Sequence, residues 1–131
     1  MGSTVADQRD ALKEPPEEYR EERPWGDFRR LVHNEPCTVK IITVQPGQRL
    51  SLQSHNHRSE LWVFLDEGGI AEVDGEVRHP TPGEKVFIPC GAKHRLATAA
   101  DAPGSVRVVE MGFGDFDEDD IVRYEDQYGR A

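Results

Sequence analysis

The sequence predicts an all-β domain, folded as a sandwich or a small barrel, with short helical or irregular segments at its two ends. Seven short stretches rich in β-branched and aromatic residues follow one another between residues 38 and 111. Glycine and proline separate these stretches, and none of them shows the apolar period of a long amphipathic helix. Short strands at nearly regular spacing are typical of sandwiches and barrels.

The first four predicted strands include one strong hairpin signal. In chain order these strands are 38–44 (TVKIITV), 51–57 (SLQSHNH), 60–65 (ELWVFL) and 69–73 (GIAEV). The pair Asp74-Gly75 directly follows the fourth strand, and this dipeptide is typical of a two-residue type I′ turn. We therefore expect residues 69–73 to pair with the segment EVRH that comes next.

Three further strands complete the predicted sheets. They are 85–89 (KVFIP), 94–98 (HRLAT) and 105–111 (SVRVVEM). Glycine and proline precede each of them, and these residues favour the dihedral angles of tight turns. No internal repeat is visible, so the seven strands form one unit.

The chain of 131 residues fits one domain, which can bury a core without disulfide bonds. We divide it into an N-terminal arm, residues 1–22, and a folded domain, residues 23–131, that includes an acidic C-terminal segment. The arm has few large apolar groups, many charges and a Pro-Pro pair, so we expect it to be mobile. The run around Ala11 and Leu12 leaves a short helix or a docking contact as an alternative.

Charge and cysteine content exclude several classes of protein. The formal net charge is −9, but residues 23–112 hold eleven acidic and eleven basic side chains, so the excess lies at the two ends. A nucleic-acid interface would need a basic excess, and a membrane span would need a long apolar run, so we expect neither. Cys37 and Cys90 are far apart and no secretory leader is evident, which favours reduced thiols and a cytoplasmic location.

Candidate metal ligands cluster in the stretch LSLQSHNHRSE. Side chains alternate across a strand, so Gln53, His55 and His57 would share one face, and Glu60 adds a carboxylate. His94 follows the turn at residues 89–91 and could complete the set if the sheet closes. Imidazole and carboxylate together suit a divalent transition-metal ion, whereas a solvent-facing polar stripe is the alternative.

These residues resemble the two motifs of the cupin superfamily. The first motif is matched by Gly47, Gln53, His55, Glu60 and Gly68, with Gln53 in place of the first histidine and one extra residue before Gly68. The second is matched by Gly83, Pro89, Gly91 and His94, with Thr98 in the place of asparagine. The resemblance implies a single cupin domain, which is a double-stranded β-helix or jelly-roll-like barrel.

Five further stretches resemble the C-terminal domain of type II mannose-6-phosphate isomerases. They are RPWG (23–26), VQPGQRLSLQ (44–53), HRSELW (57–62), IPCGAKHRL (88–96) and EDDIVRYEDQYGR (118–130). Leu61 stands where this family commonly has a histidine. The family domain is often fused to a mannose-1-phosphate guanylyltransferase, but 131 residues leave no room for a nucleotide-binding α/β domain, so we do not expect guanylyl transfer.

The resemblance implies a set of site residues. The metal ligands would be Gln53, His55, Glu60 and His94, and they would hold one divalent ion. Zinc is the first candidate, and manganese, cobalt, nickel and iron are alternatives. His57 would be a fifth ligand or the acid/base group, with Glu110 and Lys93 as other candidates for proton transfer. Independently of the resemblance, Arg58, Lys93 and Arg95 flank these ligands and are candidates for binding a phosphate group, with a plain surface charge as the alternative for each.

The implied activity is the interconversion of mannose 6-phosphate and fructose 6-phosphate through an enediol. The implied partners are a small sugar phosphate and a second copy of the chain in a homodimer. Because cupins host many reactions, two alternatives remain open: an iron-dependent oxygenase or other small-molecule enzyme, and a non-catalytic sugar-binding cupin.

Overall fold

The computed structural model describes residues 10–130, which form eleven strands. In chain order they are β1 (Tyr19–Arg23), β2 (Gly26–Arg30), β3 (Thr38–Val44), β4 (Leu52–Ser54), β5 (Arg58–Phe64), β6 (Gly69–Val73), β7 (Glu76–Arg78), β8 (Lys85–Ile88), β9 (His94–Thr98), β10 (Val106–Gly114) and β11 (Val122–Glu125). The predicted all-β class is confirmed. No helix in residues 10–130 is long and apolar enough to cross a membrane.

The strands form two larger sheets and a separate hairpin. β1 and β2 make the hairpin, one sheet has the order β3-β10-β5-β8, and the other has the order β11-β4-β9-β6-β7. The predicted Asp74-Gly75 turn joins β6 to β7 and is confirmed, since Asp74 and Gly75 have φ angles of 48° and 84° and Val73 pairs with Glu76.

The main apolar core lies between the two larger sheets. Trp62 and Phe64 of β5 meet Ala71 of β6 and Leu96 of β9 in one buried cluster. Side chains alternate along β5, so Glu60 lies on the same inward face as Trp62 and Phe64. The core strands thus carry a carboxylate into the space between the sheets.

A second apolar cluster covers the outer face of the β3-β10-β5-β8 sheet. Its buried members are Leu61, Val63, Met111 and Phe113, and Leu12, Leu31, Val32, Phe87 and Val109 pack against them. All seven residues of β5 are buried because both faces of that strand are covered. Leu61 therefore points away from the inward face that carries Glu60.

Part of the N-terminal segment that is predicted to be a mobile arm contacts the folded domain. Residues 1–9 lie outside the described residues, but Leu12 packs on the outer cluster and Tyr19–Arg23 pairs with β2. Glu18 also accepts hydrogen bonds from Arg29 Nε and Nη2, both at 3.0 Å, and lies 2.8 Å from Lys85 Nζ. Composition favours mobility because the segment is polar. A few contacts with an apolar sheet face are nevertheless enough to position such a segment.

We expect Leu12→Ala to lower the free energy of unfolding by about 1–2 kcal/mol, because a half-buried leucine leaves the outer cluster. Urea denaturation followed by circular dichroism measures this change. The matched control is Lys13→Ala, since Lys13 is the exposed neighbour. Equal stability of the two variants would contradict the docked position of this segment.

Candidate functional site

A cavity of about 450 Å³ is lined by side chains from both larger sheets. Its polar lining includes Lys40, Gln53, His55, Arg58, His94, Glu110, Glu118, Arg123 and Arg130. A wider groove of about 690 Å³ runs along residues 11–17 on the surface. Within residues 10–130, however, the one group of three metal-ligating side chains that converge is His55, Glu60 and His94, at the smaller cavity.

The three converging residues come from the inner faces of neighbouring segments. His55 follows β4, Glu60 lies in β5 and His94 begins β9. His55 Nε2 is 3.4 Å from Glu60 Oε2, and His94 Nε2 is 3.7 Å from Glu60 Oε1. All three side chains are buried, and their ligand atoms lie within 4.8 Å of one another.

Backbone carbonyl groups orient both imidazole rings. His55 Nδ1 donates to the carbonyl oxygen of Asp120 at 2.7 Å, and His94 Nδ1 donates to that of Ala92 at 2.9 Å. Each ring then carries its proton on Nδ1, which leaves the lone pair of Nε2 directed toward Glu60. A hydrogen bond from the far ring nitrogen to a carbonyl oxygen is common in metal-binding histidines, where it fixes the tautomer and the ring orientation.

The charge states of the three groups suit a divalent cation. Burial lowers the pKa of His55 and of His94, so both rings are neutral at neutral pH. Burial acts to raise the pKa of the Glu60 carboxyl, but protonated His94 and His55 and the guanidinium of Arg58 act to lower it, and the net shift is downward. Where the imidazoles are neutral, the permanently charged Arg58 remains as the partner that keeps Glu60 ionised.

The donor set fits a divalent transition-metal ion. Two neutral imidazoles and one carboxylate are a common protein ligand set for zinc and for iron. Gln53 lies on the same cavity wall, because it pairs with His94 across β4 and β9. These residues would therefore hold the ion, with the Gln53 amide as the predicted fourth ligand.

Arg58 shares the site with these ligands. Its Nε donates to Glu60 Oε2 at 3.0 Å, and its Nη2 lies 3.2 Å from His55 Nε2. A metal ion and Arg58 cannot use the same lone pair of His55, so ion binding requires Arg58 to give up that hydrogen bond. The guanidinium also stacks on Phe116 at 4.0 Å from the ring centroid, where a side chain at Gly112 would clash with the ring.

The prediction that His57 shares a face with Gln53 and His55 is wrong. β4 ends at Ser54, and the carboxylate of Asp120 accepts hydrogen bonds from the backbone N–H groups of Asn56 and His57, both at 2.9 Å. The chain bends there instead of continuing as a strand. The His57 side chain is exposed and does not line the cavity.

Two of the predicted phosphate ligands also lie away from the cavity lining. Lys93 is exposed, and its ammonium group lies over the ring of Tyr124 at 4.3 Å from the centroid. Arg95 is buried but is held by the carbonyl oxygen of Leu50 and by Glu125. The remaining predicted ligand, Arg58, lines the cavity but pairs with Glu60.

Glu110 lies in the cavity beside the three converging residues. Its side chain is buried, Oε1 has no hydrogen-bond partner, and Lys40 Nζ lies 3.6 Å from that oxygen. Burial and the negative charge of Glu60 raise the pKa of Glu110 to about 7. A carboxyl group with this pKa exchanges protons readily at neutral pH.

Sequence reasoning missed five polar residues of this site: Lys40, Glu118, Asp120, Arg123 and Arg130. Lys40 reaches the cavity because inward and outward side chains alternate along β3, a pattern visible in TVKIITV. Arg123 reaches it from β11, which pairs with β4. Asp120 lies in a loop far along the chain and forms hydrogen bonds with residues 55–57. The local sequence around Asp120 does not predict these hydrogen bonds.

Comparisons with known proteins agree with this architecture. The family model described as "Mannose-6-phosphate isomerase C-terminal" matches residues 8–126. The mannose-1-phosphate guanylyltransferase ManC of Salmonella typhimurium is 40% identical over 110 residues. The match covers 83% of this chain but 22% of that relative, so the chain spans about a fifth of the relative's length.

Solved structures resemble the fold at low sequence identity. An uncharacterized Klebsiella pneumoniae protein with a double-stranded β-helix domain superposes with a TM-score of 0.59 at 17% identity, covering 72% of this chain and 80% of that one. A cupin protein from Bacteroides fragilis superposes with a TM-score of 0.53 at 18% identity, covering 63% and 80%. The chain therefore has the double-stranded β-helix fold of the cupins, and it belongs to the mannose-6-phosphate isomerase C-terminal family.

Proposed function

We propose that this chain is a metal-dependent sugar-phosphate isomerase that interconverts mannose 6-phosphate and fructose 6-phosphate. The observation that carries the proposal is the presence, at one cavity, of a metal-fitting triad and of a separate buried carboxylate, Glu110, whose Oε1 accepts no hydrogen bond. Aldose–ketose isomerisation needs both parts: charge stabilisation at the oxygens on C1 and C2, and a group that carries a proton between those carbons.

The metal site supplies the first part. His55, Glu60 and His94 would hold the ion, with zinc as the first candidate and the Gln53 amide beside them. When bound, the ion would polarise the carbonyl and the neighbouring hydroxyl oxygen of the substrate as a Lewis acid. Trp62 Nε1 donates to Glu60 Oε1 at 3.0 Å and thereby holds the carboxylate in place.

Glu110 supplies the second part in this proposal. It would take the proton from C2 of mannose 6-phosphate, so that the C2–H electron pair forms a C1–C2 double bond while the π electrons of the C1 carbonyl move onto O1. The proton then returns to C1, while the hydroxyl proton on O2 passes to O1, and the product is fructose 6-phosphate. Position supports this role, because Glu110 faces the cavity, whereas His57 is exposed and outside it.

A coupled assay with a panel of hexose and pentose phosphates, run with added zinc, manganese, cobalt, nickel or iron, tests the proposal. We expect fructose 6-phosphate to form from mannose 6-phosphate, with deuterium entering from deuterated water. His57→Ala should turn over at the wild-type rate. Absence of turnover with every sugar phosphate and every metal would overturn the isomerase proposal and leave the fold and the family untouched.

A second candidate function rests on the ligand types. Two histidines and one carboxylate are also the ligands of non-haem iron oxygenases. Oxygen uptake by the iron-loaded protein, without isomerisation of any sugar phosphate, would favour this reading.

A further inference from the structure

Arg123 has no partner for its charge within residues 10–130. It lies in β11 and lines the cavity, and its Nε is buried without a hydrogen-bond acceptor. Buried guanidinium donors are normally paired, because an unpaired donor loses its water without compensation. Such a group is suited to an acceptor that enters the cavity from outside.

The other cations of the cavity wall are already paired. Lys40 lies 3.6 Å from Glu110 and 3.4 Å from Glu118, and Arg58 binds Glu60. Arg130 binds the carboxylate of Asp126, with Nε at 2.7 Å. An anionic group entering the cavity would therefore meet one uncommitted guanidinium in the described part of the chain, that of Arg123.

Strand register places Arg123 in line with the metal-fitting residues. It pairs with Gln53 across β11 and β4, and Gln53 pairs with His94 across β4 and β9. Directly opposed residues on neighbouring antiparallel strands point to the same face, and strands lie about 5 Å apart. Arg123 is thus two strands, or about 10 Å along the sheet, from His94. That separation lets one end of a small extended ligand reach Arg123 while the other reaches the triad.

A phosphate monoester is the anion that this arrangement fits best. A guanidinium offers two parallel N–H donors that match two phosphate oxygens, and its charge is permanent. We propose that Arg123 binds the phosphate group of the substrate and selects phosphorylated over free sugars, with Arg130 on the same cavity wall. This inference rests on the proposed sugar-phosphate function, and it replaces Lys93 and Arg95 as the residues for that role.

Calorimetric titration of the wild-type protein with mannose 6-phosphate, inorganic phosphate and mannose tests the inference. Arg123→Ala should weaken binding of mannose 6-phosphate and of inorganic phosphate at least about 10-fold, because a charge-assisted hydrogen-bond pair is lost. Binding of mannose should not change. Arg123→Lys should bind more tightly than Arg123→Ala but less tightly than the wild type, since lysine keeps the positive charge and lacks the two parallel N–H donors.

Lys93→Ala is the matched control, because it removes the same charge from the surface outside the cavity. It should bind all three compounds as the wild type does. Wild-type affinity for mannose 6-phosphate in Arg123→Ala, or an equal loss for mannose, would overturn the inference, as would a wild-type protein that binds neither phosphate compound.

The outcome for Arg123 is separable from the outcome for the isomerase. Phosphate-selective binding that depends on Arg123, without turnover, supports phosphate binding by Arg123 and contradicts the isomerase proposal. Turnover with an unchanged KM for mannose 6-phosphate in Arg123→Ala contradicts phosphate binding by Arg123 and is compatible with the isomerase proposal.

Discussion

Replacement of His94 by alanine is expected to lower the affinity for zinc at least about 100-fold. Changes to groups that merely orient a metal ligand already cost about 10- to 100-fold in affinity, and here a ligand itself is removed. The His94 ring is buried and its Nε2 points at Glu60 from 3.7 Å, so no water-exposed side chain can take its place without rearrangement. Calorimetric titration with zinc and elemental analysis of the purified protein both measure this loss.

Two further variants make the metal prediction specific. His57→Ala should bind zinc as the wild type does, because His57 is exposed and outside the cavity. Glu60→Gln should lose zinc while keeping the shape of the side chain, although Arg58 then remains buried beside a neutral group and the fold is weakened. Zinc binding that was unchanged in His94→Ala and lost in His57→Ala would reverse the ligand assignment.

The spacing of the metal-fitting residues was readable from the sequence because strand geometry is local. His94 follows the turn at Pro89 and Gly91, whereas His55 and Glu60 lie on either side of the bend at Asn56 and His57. The pairing of Gln53 with His94 brings the two motifs together once the sheet forms. Alternation also explains Leu61, which falls between two inward residues and so belongs to the outer cluster.

The position of His57 was not readable because it depends on a distant partner. Alternation predicts a shared face only while the strand continues, and here the strand ends at Ser54. The carboxylate of Asp120 accepts hydrogen bonds from the backbone N–H groups of Asn56 and His57. The backbone carbonyl of Asp120 accepts a hydrogen bond from His55 and so orients its ring. One acidic residue in an acidic C-terminal segment carries no mark of this role in the sequence.

The same limit applies to Arg123 and to the N-terminal segment. A tail and a docked strand are equally compatible with the composition of EDDIVRYEDQYGR, and only the pairing of β11 with β4 turns Arg123 inward. Composition likewise favoured mobility for residues 10–22, whereas Leu12 and Glu18 hold them to the sheet. Composition does not decide either case, because long-range contacts can order a polar segment that has little tendency to order itself.

Replacement of Glu110 by glutamine is expected to lower kcat for mannose 6-phosphate by about 10² to 10⁴-fold, which is the usual contribution of a positioned acid or base. Glutamine keeps the shape but cannot accept the C2 proton. The KM and the zinc content should change little, because Glu110 lies beside the converging triad and is not one of its members. Steady-state assays of the zinc-loaded protein, together with deuterium uptake from deuterated water, measure the effect.

Stability distinguishes a catalytic role of Glu110 from a structural one. The folded protein holds the proton of this group up to a pH of about 7, whereas an unfolded chain releases it near the usual value for glutamate. The native state binds more protons between those values, so this carboxyl lowers stability as the pH rises through them. Glu110→Gln removes that penalty, and in the metal-free protein at pH 8 it should unfold at the same or a higher urea concentration than the wild type.

A variant that is at least as stable, keeps its zinc and has lost both turnover and label uptake assigns the proton transfer to Glu110. Wild-type turnover in Glu110→Gln would show that another group moves the proton, and Lys40, which lies 3.6 Å from Glu110, would be the next residue to replace.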